Sequence, residues 1–112
     1  MEAISGATFV FDHGGEPDLL GTDLTQGSYR VMVGHAPVGE GPPMHIHPKT
    51  DEGFYIGAGE MRFIFPDREV LAGPGTFVFV PRGVKHTAHI TQPLRGLLIY
   101  SPGDAEHVTQ PV

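Results

Sequence analysis

The chain has 112 residues, no cysteine, and seven Lys and Arg side chains against thirteen Asp and Glu, which gives a formal charge of −6 at pH 7. Its length is that of one domain. The acidic balance disfavours nucleic acid or an anionic membrane as a partner, because both bind basic surfaces. Without cysteine the chain forms no disulfide and offers no thiolate. No window sustains a helical period, and Gly and Pro punctuate short apolar runs, so we expect an all-β protein.

The first 28 residues are predicted to be an N-terminal strand and loop segment of the same domain. Residues 8–12 form a strand candidate, and residues 19–20 form a weaker one. The start of the chain lacks the pattern of a signal peptide, and no apolar run approaches the length of a membrane-spanning helix. We therefore expect a cytoplasmic protein with no membrane partner. As an edge strand, residues 8–12 can also add to a neighbour's sheet, which is compatible with a homodimer.

The central part of the chain, residues 29–101, is predicted to be the core of the domain. Turn residues separate eight strand candidates, at 29–35, 44–47, 53–56, 60–65, 69–71, 76–80, 85–91 and 94–100. Residues 57–59 are predicted to be a turn, and Gln92-Pro93 is predicted to break a strand. Residues 102–112 are predicted to be a polar tail or a short edge segment. So many short strands predict a barrel or a two-sheet sandwich.

Two motifs at fixed spacing carry the candidate chemistry. The first, G-x5-H-x-H-x4-E-x6-G, consists of Gly39, His45, His47, Glu52 and Gly59, and the second, G-x5-P-x-G-x2-H, consists of Gly75, Pro81, Gly83 and His86. His45 and His47 are two residues apart, so on a strand they point to the same face. Glu52 opens the returning strand and His86 opens a later one. Four side chains from three strands can therefore converge on one divalent metal ion.

The residues around these motifs predict a small-molecule pocket. Three neutral imidazoles and one carboxylate would leave a divalent ion with a net positive charge, which suits an enolate or a phenolate. The predicted pocket residues are Phe54 and Ile56, which share the parity of Glu52, together with Met61, Phe63 and Phe65, which share a second apolar face. The alternative is that these five side chains are ordinary core. Asp51, Arg82, Lys85 and His89 are expected at the surface or in loops.

Both motifs, with fifteen residues between Gly59 and Gly75, resemble those of the cupin superfamily, in particular its compact single-domain members. This resemblance implies a single cupin jelly roll, also called a double-stranded β-helix, which is a small barrel with the metal inside. It also implies that His45, His47, Glu52 and His86 are the ligands. The second motif often has Asn four residues after its His, where this chain has Ile90. That Asn is not a ligand, so the change makes the wall of the site more apolar.

The residues from Pro42 to His47, from Asp51 to Tyr55 and from Phe77 to Gly83 resemble quercetinase-like cupins. This resemblance implies a metal-dependent dioxygenase that acts on a small enolisable or phenolic compound such as a flavonol. It also implies that Glu52 is a general base, with a static ligand as the alternative role. A redox-silent enzyme (an isomerase, lyase or polyketide cyclase) and a non-catalytic module for a small molecule or the metal remain as rivals. The ion stays open among Fe, Mn, Ni, Co, Cu and Zn.

Overall fold

The computed structural model describes residues 18–20, 27–103 and 109–112. Within these ranges the backbone forms eight strands and no helix, which confirms the all-β prediction. The strands are β1 (Asp18–Leu20), β2 (Arg30–Ala36), β3 (His45–Ile46), β4 (Asp51–Phe65), β5 (Arg68–Ala72), β6 (Phe77–Val80), β7 (Thr87–Ser101) and β8 (Gln110–Pro111). The strand candidate at residues 8–12 lies outside the described residues.

All neighbouring strands pair antiparallel and form two sheets. The larger sheet has the order β1-β2-β7-β4-β5, and β6 also pairs with β4. The smaller sheet consists of β3 and β8, so part of the predicted tail forms a short strand beside His45. The two longest strands, β4 and β7, pair along most of their length and form the centre of the larger sheet. In the described part of the chain, no helix is long and apolar enough to span a membrane.

The predicted turn at residues 57–59 is wrong, because β4 runs through it as one strand of 15 residues. Its pairing with β7 instead shifts register between Ile56 and Met61. Gly59 has a φ of +87°, and a Cβ atom there would lie 2.0 Å from the carbonyl oxygen of Pro93, so only glycine fits. These shifts also reverse the parity, since Glu52, Phe54 and Ile56 are buried before them and Met61 and Phe63 after them.

The predicted break at Gln92-Pro93 is also wrong, since β7 continues from Thr87 to Ser101. Pro93 falls between the Glu60–Gln92 and Ala58–Arg95 pairs, where the ladder with β4 is already irregular. A proline lacks a backbone N–H, so it is tolerated where the opposite strand makes no regular pair. The irregularity of β4 and the proline of β7 therefore lie at the same level of the sheet.

The apolar core is formed by side chains of β4, β5, β6 and β7. Its buried members are Phe54, Ile56, Met61, Phe63, Ala72, Val80 and Leu94. Phe54 and Phe63 contact each other edge to face, with ring centroids 5.1 Å apart. Residues Phe54 and Met61 join this core to a cavity, so the packed interior supports one side of the candidate site.

Candidate metal centre

Three buried histidines meet at one end of the core. His45 lies on β3, His47 follows that strand, and His86 immediately precedes β7. His45 and His86 exchange two backbone hydrogen bonds of 2.9 Å, and the Gly83 N–H donates to the His47 carbonyl at 2.9 Å. The potential ligand nitrogens of the three rings lie within 4.8 Å of one another. The backbone pairing therefore fixes three imidazoles around one point.

Hydrogen bonds to the backbone set the orientation of two of these rings. The Nδ1 atom of His45 lies 2.8 Å from the Pro43 carbonyl, and that of His86 lies 2.9 Å from the Val84 carbonyl. A carbonyl oxygen only accepts, so each Nδ1 carries the proton and donates it. In the neutral ring, Nε2 then keeps its lone pair free for a cation. This arrangement is typical of histidines that bind metals.

Glu52 brings a carboxylate to the same point. Its side chain is only 6% exposed, its Oε1 lies against the Nε2 of His47, and the Nε2 of His86 is 3.7 Å from that oxygen. Among the residues that the structure describes, this Oε1 has no hydrogen-bond partner. A buried carboxylate oxygen without a donor is unfavourable, and the lone pair on the nearby Nε2 of His86 makes the site more so. A divalent cation would satisfy all four groups, so the residues present fit a metal ion.

Burial and neighbouring groups shift the pKa values of His45 and His86 in opposite directions. Burial lowers the pKa of His45, and the nearby His86 and His47 lower it further. Burial also lowers the pKa of His86, but contact with the Glu52 carboxylate, the bond to Val84 and the charge of Glu52 raise it above its ordinary value. Without a cation, a proton entering this cluster therefore favours His86 over His45.

A cavity of about 440 Å³ opens beside the four side chains. Its lining includes Phe54, Met61, Ala88 and Ile90, with Tyr100 beside Glu52 on the neighbouring strand. Burial, reinforced by the charge of Glu52, raises the pKa of Tyr100 to about 12. The phenol therefore keeps its proton near neutral pH. The cavity combines an apolar wall with the hydroxyl groups of Tyr100 and Thr109.

Two of the five predicted pocket residues, Phe54 and Met61, line this cavity, whereas Ile56, Phe63 and Phe65 do not. Ile56 and Phe63 are enclosed in the core, at 1% and 0% exposure, and Phe65 packs against that core from the far end of β4. Alternation along a strand predicts which face of the sheet a side chain lies on, but not whether it reaches the cavity or is enclosed in the core. Ile56, Phe63 and Phe65 are therefore part of the core or packed against it, and they do not line the pocket.

The segment of residues 37–42 forms a large part of the cavity lining, although none of its residues was predicted to line the pocket. Backbone hydrogen bonds of 2.9 and 3.0 Å join Gly39 to Ile90, and the Gly41 N–H donates to Nδ1 of His89 at 3.0 Å. The Thr87 hydroxyl donates to the Pro42 carbonyl. His89, expected at the surface, therefore holds this segment against β7. The alternation of Gly and Pro was the available signal, since it allows close approach to a strand.

Comparison with known proteins identifies the class. The family model of the cupin domain matches residues 32–100, so the chain belongs to the cupin family. A structure from Klebsiella pneumoniae with a double-stranded β-helix domain is similar over 93% of this chain and 92% of that one, with 22% identity and a TM-score of 0.68. No curated protein sequence matches the chain. The jelly-roll fold predicted from the motifs is thereby confirmed.

Two further structures of named proteins are similar to this chain, and one of them is named as an enzyme. The polyketide cyclase RemF from Streptomyces resistomycificus is 27% identical, over 85% of this chain and 68% of that one, with a TM-score of 0.66. KdgF from Halomonas sp. is 17% identical, over 76% of this chain and 74% of that one, with a TM-score of 0.64. The likeness to KdgF concerns the fold alone.

Proposed function

We propose that this cupin is an enzyme with one divalent transition metal ion, and that it is a dioxygenase for a small enolisable or phenolic compound of the flavonol type. The observation that carries the proposal is the unpartnered Oε1 of buried Glu52, which faces the histidine cluster beside an apolar cavity. The similarity of the motif segments to quercetinase-like cupins supports the choice of reaction.

His45, His47 and His86 would hold the ion through Nε2, and Glu52 would complete the set through its carboxylate. When bound, such an ion lowers the pKa of a hydroxyl that binds to it, and a redox-active ion also supports reaction with dioxygen. The hydrogen bonds from Nδ1 of His45 and His86 to backbone carbonyls keep these two rings turned toward the centre. The chain thus supplies a rigid ligand set, which reduces the entropy lost on binding.

Glu52 is proposed to take the proton from the substrate hydroxyl. A carboxylate within hydrogen-bond reach of a substrate oxygen is a suitable general base. Tyr100 lines the same cavity and keeps its proton, so it can donate a hydrogen bond to an oxygen on which negative charge develops. The two residues would therefore work as a base and as an oxyanion donor on neighbouring strands.

The apolar side chains would orient the ring and exclude water. The cavity, about 440 Å³, lies within the range of roughly 300–1,000 Å³ that is usual for small-molecule sites. Phe54 and Met61 form its inner wall, and Ile90 belongs to the strand that holds residues 37–42 in place. A flat aromatic substrate would be enclosed between these surfaces.

A redox-silent reaction is the second candidate, and the similarity to the polyketide cyclase RemF favours it. Removal of a proton by Glu52 would serve an isomerisation or a cyclisation equally well. Such a reaction needs no dioxygen, so the two candidates differ in one measurable requirement. Zinc would suffice for it as a Lewis acid.

Oxygen uptake in the presence of flavonols and other enolisable aromatics tests the proposal. The protein is loaded in turn with Fe, Mn, Co, Ni, Cu and Zn, and each form is assayed with and without oxygen. We expect oxygen uptake that matches substrate loss with at least one redox-active ion. Conversion that continues without oxygen would favour the redox-silent enzyme. Binding with no turnover under any ion would leave a non-catalytic module.

A further inference from the structure

An ion pair outside the ligand set joins the segments that carry the ligands. The Asp51 carboxylate accepts hydrogen bonds from Nε of Arg82 at 3.1 Å and from Nη2 at 3.2 Å, each on a different oxygen. It also accepts the Arg82 backbone N–H at 2.8 Å. This is the two-pronged geometry that a planar guanidinium makes with a carboxylate. Three bonds to one carboxylate fix the relative position of the two backbones.

The two residues lie directly beside the candidate ligands. Asp51 precedes Glu52 at the start of β4, and Arg82 lies in the turn that leads to His86. In the same turn, the Gly83 N–H donates to the carbonyl of His47 at 2.9 Å. This turn is therefore hydrogen-bonded to Asp51, next to Glu52, and to the backbone of His47, and it leads directly to His86.

The pair contributes little to the stability of the fold. The Arg82 side chain is 48% exposed and that of Asp51 is 28% exposed, so water screens their attraction. Exposed pairs of this kind are worth little in free energy of unfolding. What two parallel hydrogen bonds supply instead is a fixed geometry. The effect of the pair should therefore be seen where a small displacement matters, which is at the centre of the ligand set.

We propose that Asp51 and Arg82 form a positioning pair that sets the Glu52 carboxylate against His47 and His86, so that metal affinity depends on two residues that do not touch the metal. The inference rests on the proposed metal site and assigns it a support outside the cavity. It differs from a surface role in one respect. Loss of the pair lowers metal affinity and alters coordination without a matching loss of stability.

The test measures Co²⁺ affinity by competition with a coloured chelator and records the visible spectrum of the Co²⁺ form, which reports ligand geometry. The variants are Asp51→Asn, Arg82→Ala and the double variant, with Arg62→Ala as the control, since Arg62 is an exposed arginine of β4 outside the cavity lining. We expect each single variant to bind Co²⁺ about tenfold more weakly, within the range seen when a residue that orients a metal ligand is changed. The double variant should be no weaker than either single one, because both remove the same interaction.

Thermal unfolding of the metal-free proteins separates positioning from general damage. Wild-type affinity and an unchanged spectrum in both single variants would overturn the proposal, and so would losses that add in the double variant. A fall in unfolding temperature that accounts for the lost affinity would overturn it as well. If wild-type protein binds no Co²⁺ at all, the proposed metal site fails first and the positioning role falls with it.

Discussion

Replacing Glu52 with glutamine should stabilise the metal-free protein while weakening its binding of metal. In the wild type, Oε1 is buried with no hydrogen-bond donor in the described part of the chain, and it lies near the Nε2 atoms of His47 and His86. The amide of glutamine keeps the size of the side chain but removes its charge. Its NH₂ group can donate to Nε2 of His86, whose Nδ1 already donates to the Val84 carbonyl, so an unfavourable contact becomes a favourable one.

The size of the effect follows from the cost of a buried polar group without a partner, which is about 1–3 kcal/mol. A gain of about 1–2 kcal/mol would raise the unfolding temperature of a domain of this size by roughly 4–8 °C. The gain should be larger at pH 8 than at pH 6. The raised pKa of His86 means that its pairing with Glu52 stabilises the wild type fully below pH 6.5, and that this contribution is lost as pH rises through the folded-state pKa.

Thermal and denaturant unfolding of chelator-treated protein at the two pH values measures this effect, and titration with Zn²⁺ measures the loss of affinity. Glu69→Gln, at an exposed position of β5, is the matched control for removing one negative charge. A metal-free Glu52→Gln protein that is less stable than the wild type at pH 8 would refute the reasoning. It would mean that Oε1 is already satisfied in solution.

Three further predictions concern the site and its walls. Metal affinity should fall as pH decreases. Competition by protons should begin above pH 6.5, because the pKa of His86 is raised. Calorimetric titrations that give equal affinity at pH 6 and pH 8 would contradict this. Since Phe63 is a fully buried core residue, Phe63→Ala should lower the free energy of unfolding, measured in denaturant, by about 3–5 kcal/mol and leave the metal content unchanged. A loss below about 1 kcal/mol would contradict the assignment of Phe63 to the core. Gly41→Ala should displace residues 37–42, because its Cβ would lie 1.9 Å from the Ala88 carbonyl oxygen. We expect weaker binding of a cavity ligand with metal affinity retained, and an unchanged ligand affinity would contradict it.

Much of the histidine cluster was predictable from sequence, because two of its members are close together in the chain and the third follows a recognisable turn. His45 and His47 differ by two positions, so the pleat of a strand places them on one face. The turn before His86 is marked by Pro81 and Gly83, which are recognisable without knowledge of the fold. The resemblance to cupins then specified the topology, which pairing signals alone left open between a barrel and a sandwich.

The substrate pocket was less predictable because it depends on depth and on contacts that are distant in the chain. Gly59 and Pro93 read as breaks from local propensity, but each lies opposite the irregular part of the other strand, where the fold tolerates them. Alternation showed the apolar parity of Phe54 and Ile56 and the opposite one of Met61 and Phe63, but not the register shifts of β4 that cause the reversal. Tyr100 lines the cavity because the pairing of β7 with β4 places it beside Glu52, which is 48 positions away in the chain.

The metal content of the purified protein tests the central claim most directly. The wild type and His47→Ala are purified without chelators or metal-affinity steps and analysed for transition elements, before and after reconstitution. The account predicts about one equivalent per chain in the wild type, as expected for one cluster of three histidines with the Glu52 carboxylate beside it, and a loss of it in the variant. A wild-type protein that holds no metal after reconstitution, or a variant that retains the full equivalent, would contradict it.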